Sequence, residues 1–519
     1  MKTYELLLNN FVKSKAYLLC KTHSALNIFI LFFLISLTLF LIKINFLTPY
    51  ISGYDGIAYW LLGTSEFKYI NHQSLRWGLY LPFIFFQKEG FLYYYLFNLI
   101  TFHLAILIFT YLVTRIFGIF SGFYFLLIST LDIFFLPESF DLYPEIGSFL
   151  VLSLIFLIVY KKKISQNFFL FSFLLFYLYG IKETNLFLYP GVIIYILFNF
   201  GVKKVFHFIF LFLIFYLAET ALLSLHFSHD SFSNLGRVHE LLRGGTGQSY
   251  INEMKTVTFN ENLTIVDLIS RRWILRTEGK WYLFFYIIFF LGCLFSIFLF
   301  KDFKKNFLSF ILLISFSFFT CLTFFIVSIN PLIPAHNFTF RYNYIINILS
   351  LAFFSGLPII FNNFLSKYYD VDKKSIIIKL KKIINLFIFL ILFYYLFILI
   401  KHNIKLIYLN PGIERMGMEP YTKIHKYESL INRMNYYSNL KINLIKIFNE
   451  LNSRTCLVSR IHERTHFAEM VYGSKVYDKA NYLFLKKEEL WILSNNDQKH
   501  CQYFFDLDYL ININVDYSK

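Results

Sequence analysis

Long apolar runs with few charges constrain the fold of this chain more than any other feature of its sequence. About eleven of them lie between residues 25 and 400, and most approach the roughly 20 residues with which an α-helix crosses a bilayer. Because 57% of the residues are hydrophobic and only 16% are charged, the sequence predicts an all-α polytopic membrane protein. The runs lie near residues 25–47, 91–114, 116–136, 146–160, 168–179, 186–200, 205–225, 281–300, 307–329, 342–361 and 383–400.

The net charge of +17 resembles that of a nucleic-acid-binding protein until it is mapped onto these runs. With the amino terminus inside, the cytoplasmic segments hold about 19 Lys and Arg against about four Asp and Glu. About +15 of the net charge therefore lies on the cytoplasmic side, and acids and bases nearly cancel on the other. This is the positive-inside distribution, and it predicts membrane lipids rather than nucleic acid as the partner.

The hydropathy divides the chain into three predicted parts. Residues 1–24 are basic and partly apolar, which predicts a cytoplasmic amphipathic segment, and no cleavable signal peptide is evident. Residues 25–400 form the transmembrane domain. Residues 401–519 predict a small extracytoplasmic α/β domain with helices at 421–451 and 462–472 and strands at 455–459, 482–485 and 490–493. An apolar stretch at 77–87 is too short to span and predicts an interfacial helix.

The fifth and sixth runs are unusually short. At about 1.5 Å per residue, 12 to 15 residues cover some two-thirds of a bilayer core of about 30 Å. A single merged crossing would place Lys203 and Lys204 outside, so we predict two short helices joined by a recessed turn. That turn contains Lys182, Glu183 and Thr184. Ionisable side chains at this depth are costly unless they are paired or face a wet cavity, which makes the turn a candidate functional site.

Polar clusters are predicted to converge on the outer face from four segments. Asp55 and Tyr59 follow the first run, and the loop at 137–145 contains Glu138, Asp141 and Glu145. The Lys182–Glu183 turn is the third cluster, and Arg341 and Tyr342 stand where the tenth run begins.

These motifs, in this order on one face, resemble the C-type glycosyltransferases. That family comprises multi-spanning enzymes that use polyprenyl-phosphate sugars, among them protein O-mannosyltransferases and the aminoarabinose transferase of lipid A. The likeness rests on the Asp in the first outer loop, the acidic second loop, the Lys-Glu-Thr turn and a later Arg-Tyr, over roughly the first 360 residues. Many relatives have two adjacent acids in the first loop, whereas Asp55 is followed by Gly56.

The resemblance implies a function and a role for each cluster. Asp55 would be the catalytic base that accepts the proton of an acceptor hydroxyl as C1 of the sugar is attacked with inversion. The acceptor is expected to be a lipid or cell-envelope glycan, or less readily a protein, in a bacterial inner (plasma) membrane. Lys182, Arg76 and Arg341 would meet the charge of the departing phosphate.

The remaining members of the site follow from the same resemblance. Asp141, with Glu138 or Glu145, would orient the acceptor or hold a divalent cation, the one cofactor the sequence leaves open. Tyr59, Glu183 and Tyr342 complete the predicted substrate-binding residues.

Simpler interpretations of the same residues stay open at this stage. Asp55 can cap an interfacial helix that begins near Gly56, Lys182 and Glu183 can neutralise each other, and Arg76 and Arg341 can be interfacial anchors. Two other functions also fit a many-spanning chain. An O-antigen polymerase or ligase would depend on Arg237, His239 and Arg243, whereas a transporter or flippase would place charges at the bilayer midplane.

Overall fold

The computed structural model describes twelve segments of the chain, and most of them are helical. They are residues 25–46, 76–82, 91–132, 144–227, 277–299, 302–329, 344–368, 374–409, 455–459, 482–487, 490–495 and 503–506. The amphipathic segment predicted at 1–24, most of the predicted outer loops and most of the carboxyl-terminal part lie outside the described residues.

The helices lie where the apolar runs predict them. In chain order they are α1 (Ala25–Phe46), α2 (Trp77–Tyr80), α3 (Phe91–Phe117), α4 (Ile119–Leu131), α5 (Pro144–Tyr160), α6 (Phe168–Ile181), α7 (Tyr189–Phe200), α8 (Val202–Phe227), α9 (Thr277–Leu299), α10 (Asp302–Ile329), α11 (Tyr344–Tyr368) and α12 (Lys374–Leu409). A 3-10 helix at Glu183–Leu188 joins α6 to α7. Helix α2 covers the start of the predicted 77–87 helix, of which residues 83–87 are not described.

Several helix ends differ from their predicted positions for local reasons. Helix α3 continues to Phe117, and Gly118 then adopts a φ of 92°, a left-handed conformation that glycine tolerates and that separates α3 from α4. Helices α10 and α12 begin earlier than the runs at 307–329 and 383–400, because polar residues extend a helix beyond its apolar part.

Six helical segments among the described residues are long and apolar enough to cross a membrane. They are Leu96–Phe117, Glu183–Phe200, Val202–Leu222, Lys304–Leu322, Tyr344–Leu365 and Lys382–Lys401. Five shorter apolar helices accompany them, at Ile30–Leu41, Ile119–Leu131, Glu145–Tyr160, Phe168–Ile181 and Phe284–Leu299. The protein is therefore α-helical with six candidate spans, and the predicted total of eleven crossings stays a prediction.

Ring contacts reveal the direction in which neighbouring helices run. Phe102 and Phe109 of α3 contact Phe149 and Phe156 of α5 in the same order, so α3 and α5 are parallel. Phe156 also contacts Phe310 of α10 and Tyr160 contacts Phe307, so α10 runs antiparallel to α5.

Such contacts, followed along the chain, show that each helix from α4 to α12 runs in the direction opposite to that of the helix before it. The contacts that establish this are Phe120–Phe389, Phe168–His207, Phe173–Phe215, Phe289–Phe353, Phe295–Phe364, Phe290–Phe319 and Phe149–Tyr344.

The chain reverses between α6 and α7, as the sequence predicts for two short helices. Phe171 of α6 and Tyr195 of α7 both contact Phe310 of α10. Nearer the turn, the Ser317 hydroxyl of α10 donates to the carbonyl oxygen of Phe187 at 2.7 Å. From Phe187 in the 3-10 helix to Tyr195 in α7 the chain follows α10 from Ser317 back to Phe310. The hydroxyl of Tyr189 bonds the carbonyl of Leu175 in α6, so α6 and α7 run in opposite directions and are not one continuous helix.

Close backbone contacts fix the packing of the short helices. At Gly191 of α7, an added Cβ would lie 2.4 Å from the carbonyl oxygen of Leu313 in α10. No side chain fits there, so this glycine permits the backbones of α7 and α10 to approach each other closely. Gly122 of α4 lies similarly close to Thr114 of α3.

Four short strands form a sheet in the carboxyl-terminal part. They are β1 (Thr455–Ser459), β2 (Tyr482–Lys487), β3 (Leu490–Asn495) and β4 (Tyr503–Asp506), in the order β2-β3-β1-β4. β1 pairs antiparallel with β3 and parallel with β4. The helices predicted at 421–451 and 462–472 lie outside the described residues, so the α/β domain stays a prediction.

Charged side chains separate toward the two ends of the helical bundle. The basic end is where α3 and α5 finish and α8, α10 and α12 begin; the junction end is where α5 and α11 begin and α6 finishes. Lys and Arg residues gather at the basic end, and most of them are exposed. They are Arg115, Lys161, Lys162, Lys163, Lys203, Lys204, Lys304, Lys305 and Lys382. Carboxylates and cations mix at the junction end, which contains the site described next.

Candidate functional site

A buried ion pair joins the end of α6 to the start of α5. The ammonium group of Lys182 bonds Oε1 of Glu145, and the two side chains are only 1% and 0% exposed. Glu145 lies in the first turn of α5, where the partial positive charge of a helix amino terminus favours a carboxylate. Lys182 follows the last residue of α6, and its backbone N–H closes that helix on the carbonyl of Leu178.

A second ion pair joins the 3-10 helix to the segment that precedes α2. Nε of Arg76 lies 2.9 Å and 3.1 Å from the two carboxylate oxygens of Glu183. The side chains are 13% and 9% exposed, so this pair lies closer to the surface than the pair of Lys182 and Glu145.

The conformation of Lys182 explains why adjacent residues 182 and 183 form separate ion pairs. Its backbone is extended, with φ −155° and ψ 130°, and successive side chains of an extended chain point to opposite sides. Lys182 therefore faces α5 while Glu183 faces Arg76. The described ion pairs therefore join each of these residues to another segment of the chain, whereas the simpler interpretation of the sequence pairs them with each other.

Helix α2 is attached to α6 and α8 through polar and backbone contacts. The indole N–H of Trp77 donates to Oε1 of Glu219 in α8 at 2.5 Å, and the hydroxyl of Tyr177 in α6 donates to the carbonyl of Gly78 at 2.7 Å. An added Cβ at Gly78 would lie 2.9 Å from the backbone of Gly180. Helix α2 thus lies directly against the backbone of α6.

Neutral hydrogen bonds lie beneath the ion pairs. The side-chain amide of Asn185 donates to the hydroxyl of Ser148 at 3.0 Å and to the carbonyl of Leu178 at 2.8 Å. The hydroxyl of Tyr344 in α11 donates to the carbonyl oxygen of the same amide. One asparagine therefore ties together α5, α6 and α11, and it holds the 3-10 helix that carries Glu183 in place.

We use the name junction cluster for Arg76, Trp77, Glu145, Lys182, Glu183 and Glu219. Its three carboxylates and two cations come from the residue that precedes α2, from α5, from α8 and from the turn between α6 and α7. Adjacent residues connect these contacts. Lys182 and Glu183 connect the two ion pairs, and Arg76 and Trp77 connect the second ion pair to Glu219. The cluster is a connected set of charges in an otherwise apolar bundle, where each group is costly unless it is paired.

The structure brings together three of the residues predicted from the sequence. Arg76, Lys182 and Glu183 all belong to the junction cluster. Asp55, Tyr59, Glu138, Asp141, Arg341 and Tyr342 lie outside the described residues, so their predicted roles stay predictions.

Other members of the site were missed or only partly anticipated. Glu145 was considered only as an alternative to Glu138 as a partner of Asp141, and here it is the partner of Lys182. The predicted site does not include Glu219, although an acid inside an apolar run is itself a signal. Asn185 and Tyr344 gave no comparable signal, because isolated amides and hydroxyls are common in such helices.

Within the described ranges, no group of three or more His, Cys, Asp or Glu side chains is arranged to hold a metal ion. The divalent cation left open by the sequence would depend on Asp141 with Glu138 or Glu145. Of these three residues only Glu145 is described, and it pairs with Lys182. The described cluster instead pairs its carboxylates with Arg, Lys and an indole N–H.

Comparisons with known proteins give no match, whether with family models, curated proteins or solved structures. The fold and the site therefore define the class on their own: an α-helical protein with six candidate membrane spans and a charged cluster at one end of its bundle.

Proposed function

We propose that this chain is a membrane glycosyltransferase that moves a sugar from a polyprenyl-phosphate donor to a lipid or cell-envelope glycan, with protein as a further acceptor class. The observation that carries the proposal is the junction cluster. Lys182 and Arg76 are cations at one end of an apolar bundle, and each is oriented by a carboxylate from another segment. A lipid-borne phosphate presents its charge at this depth, where lipid meets water.

In the proposed topology the chain crosses a bacterial inner membrane eleven times. The junction end lies on the extracytoplasmic side and the basic end on the cytoplasmic side. The alternating directions of α3 to α12 support the number of crossings. The basic residues at the opposite end support the orientation, because cytoplasmic segments carry the excess of Lys and Arg. The four-stranded sheet would then belong to an extracytoplasmic α/β domain.

The proposed reaction needs a base and a group that receives negative charge. Asp55 accepts the proton of the acceptor hydroxyl while the hydroxyl oxygen forms a bond to C1 from the face opposite the phosphate. The bond between C1 and the phosphate oxygen breaks, its electron pair stays with the phosphate, and the polyprenyl phosphate leaves. The configuration at C1 is inverted, and neither an oxidant nor a reductant is required.

The ion pairs support the role of the two described cations. An ammonium group carries three donors and a guanidinium five, so each can bind a carboxylate and a phosphate oxygen together. Glu145 and Glu183 hold these cations in place before the phosphate arrives, and charges positioned in advance stabilise developing charge without a cost of reorganisation.

The positions of the charges favour an enzyme of this kind over a transporter or flippase. A carrier would place ionisable groups near the bilayer midplane. Among the described residues Glu145, Lys182 and Glu183 lie at helix ends, and Glu219 lies three residues before the end of its candidate span, Val202–Leu222. These positions suit chemistry at an interface.

The proposal is tested by assaying the purified protein with labelled polyprenyl-phosphate sugars, supplied one at a time. We expect one donor to support transfer, and we expect Asp55→Asn, which keeps the shape but removes the base, to lose about 10²–10⁴-fold in kcat. Asp302→Asn at the basic end is the matched control and should retain the parent rate. An Asp55→Asn protein as active as the parent would disprove the mechanism.

A further inference from the structure

The contact between α2 and α8 indicates a role for a residue to which the proposed chemistry assigns none. Glu219 is a carboxylate inside an apolar helix and only 5% exposed, a costly position for an acid. Its Oε1 accepts the indole N–H of Trp77. Trp77 is the next residue after Arg76, so whatever fixes the indole also restricts where the guanidinium can lie.

The environment of Trp77 leaves its side chain little freedom. An added Cβ at Gly180 would lie 2.5 Å from the indole ring, and the ring also meets Tyr177 edge-on at 5.3 Å between centroids. The Glu219 carboxylate is the polar contact that fixes the indole in this packed position. Loss of this acceptor would leave the indole N–H buried without a partner, so the hydrogen bond helps to hold a segment as short as α2.

We infer that Glu219 is a positioning residue of the junction cluster: by holding the indole of Trp77 it keeps Arg76 on Glu183 and aimed at the donor phosphate. Glu219 itself touches neither substrate nor product. The last step rests on the function proposed above, whereas the coupling between Glu219 and Arg76 depends only on the described contacts.

The coupling is measured without any substrate. An arginine-specific dicarbonyl is applied to the full-length protein in detergent, and modification of Arg76 is followed by mass spectrometry. Loss of one hydrogen bond shifts an opening equilibrium by about five-fold, so Glu219→Leu and Trp77→Phe should each raise the modification rate of Arg76 by about five-fold. Glu219→Gln keeps an acceptor for the indole and should stay close to the parent.

Two controls accompany this measurement. Arg115 is exposed at the basic end and should react at the same rate in every variant. Thr220→Val changes the residue next to Glu219, whose hydroxyl bonds the carbonyl of Tyr216 in its own helix, and should leave Arg76 unchanged. If Glu219→Leu does not accumulate, Trp77→Phe tests the same contact. An unchanged rate at Arg76 in every variant that folds would overturn the inference.

Kinetics then connect the coupling to function. In the transfer assay, Glu219→Leu and Trp77→Phe should raise the KM for the polyprenyl-phosphate donor by more than they lower kcat, and Glu219→Gln should restore the parent KM. Faster modification of Arg76 in a protein that transfers no sugar would support the coupling and refute the proposed function. If the modification rate of Arg76 rose while the KM for the donor stayed unchanged, the proposal that Arg76 binds the donor phosphate would be refuted.

Discussion

The pair of Lys182 and Glu145 shows how a charge is tolerated in an apolar bundle. Both side chains are almost fully inaccessible, so each has lost its hydration and depends on the other. Replacement of a whole buried pair by apolar side chains is often nearly neutral for stability, whereas removal of one partner leaves an uncompensated charge. Stability and function therefore make different demands on these two residues, and mutations can separate them.

For this pair we predict that Lys182→Met lowers the free energy of unfolding by about 3–5 kcal/mol, because Glu145 is left buried without its cation. The double variant Lys182→Met/Glu145→Leu should recover most of this loss. Denaturant unfolding in detergent measures both. Equal losses in the single and double variants would contradict the role of charge compensation. If the ion pair is needed for sugar transfer, the double variant should transfer no sugar even though its stability is restored.

Asn185 is the neutral counterpart at the same scale. Its amide contacts Ser148 and Leu178, and its carbonyl oxygen accepts the hydroxyl of Tyr344. Apolar substitution would leave these partners buried without their hydrogen bonds.

We predict that Asn185→Leu lowers the free energy of unfolding by about 1–3 kcal/mol, the cost of leaving buried polar groups unpaired. Asn199→Leu in α7 is the matched control, because the Asn199 amide bonds only a carbonyl of its own helix among the contacts described, that of Tyr195. It should change stability by less than Asn185→Leu in the same denaturant titration. A larger effect at Asn199 would count against the role of Asn185.

At the scale of elements, the reversal between α6 and α7 decides the architecture. Neither helix is long, with 14 and 12 residues, and the 3-10 helix between them adds six. The reversed chain is held where α7 packs on α10, with Gly191 against the backbone of Leu313. This close approach compensates for the small surface that a short helix can bury.

Gly191→Ala is expected to destabilise the protein by about 1–3 kcal/mol, because its Cβ would meet a backbone oxygen that cannot move aside. Gly147→Ala in α5 is the control. Its Cβ would meet only the flexible end of Leu79 at 3.3 Å and side-chain atoms of Ile181 at 3.6 Å. Alanine also favours a helix more than glycine does, so this variant should be neutral or slightly stabilised. Thermal unfolding of the two variants tests the prediction, and equal effects would contradict it.

At the scale of the whole molecule, the two ends of the bundle differ in charge. Lys and Arg gather at the basic end, whereas carboxylates neutralise the cations of the junction end. This asymmetry orients the protein if the bundle lies in a membrane, since basic segments stay in the cytoplasm.

A cysteine introduced at Lys203 in a cysteine-free variant should react with an impermeant maleimide only after the membrane is opened. One introduced at Ser139, in the acidic loop, should react in intact cells. If α6 and α7 formed a single crossing, position 203 would be labelled from outside. Labelling of both positions from the same side would therefore contradict the proposed topology and the function that depends on it.

How much of this was predictable differs between the fold and the site. The positions of the helices follow from local hydropathy, and the strands at 455–459, 482–487 and 490–495 begin where the sequence predicts them. Three of the predicted site residues, Arg76, Lys182 and Glu183, do come together. Which side chains of the cluster contact each other was not predictable from the sequence. Trp77 and Glu219 are 142 residues apart, and Arg76 and Glu183 are 107 residues apart.

The sequence by itself determined where the apolar helices lie and which of their ends are basic, because hydropathy and charge are properties of neighbouring residues. Only the tertiary structure decided that Lys182 pairs with Glu145 while Glu183 pairs with Arg76. An ion pair requires two groups to meet within a few ångströms, and which groups meet depends on the order in which helices pack. That order is set by close contacts such as those of Gly180 with Trp77 and Gly191 with Leu313, which no local pattern encodes.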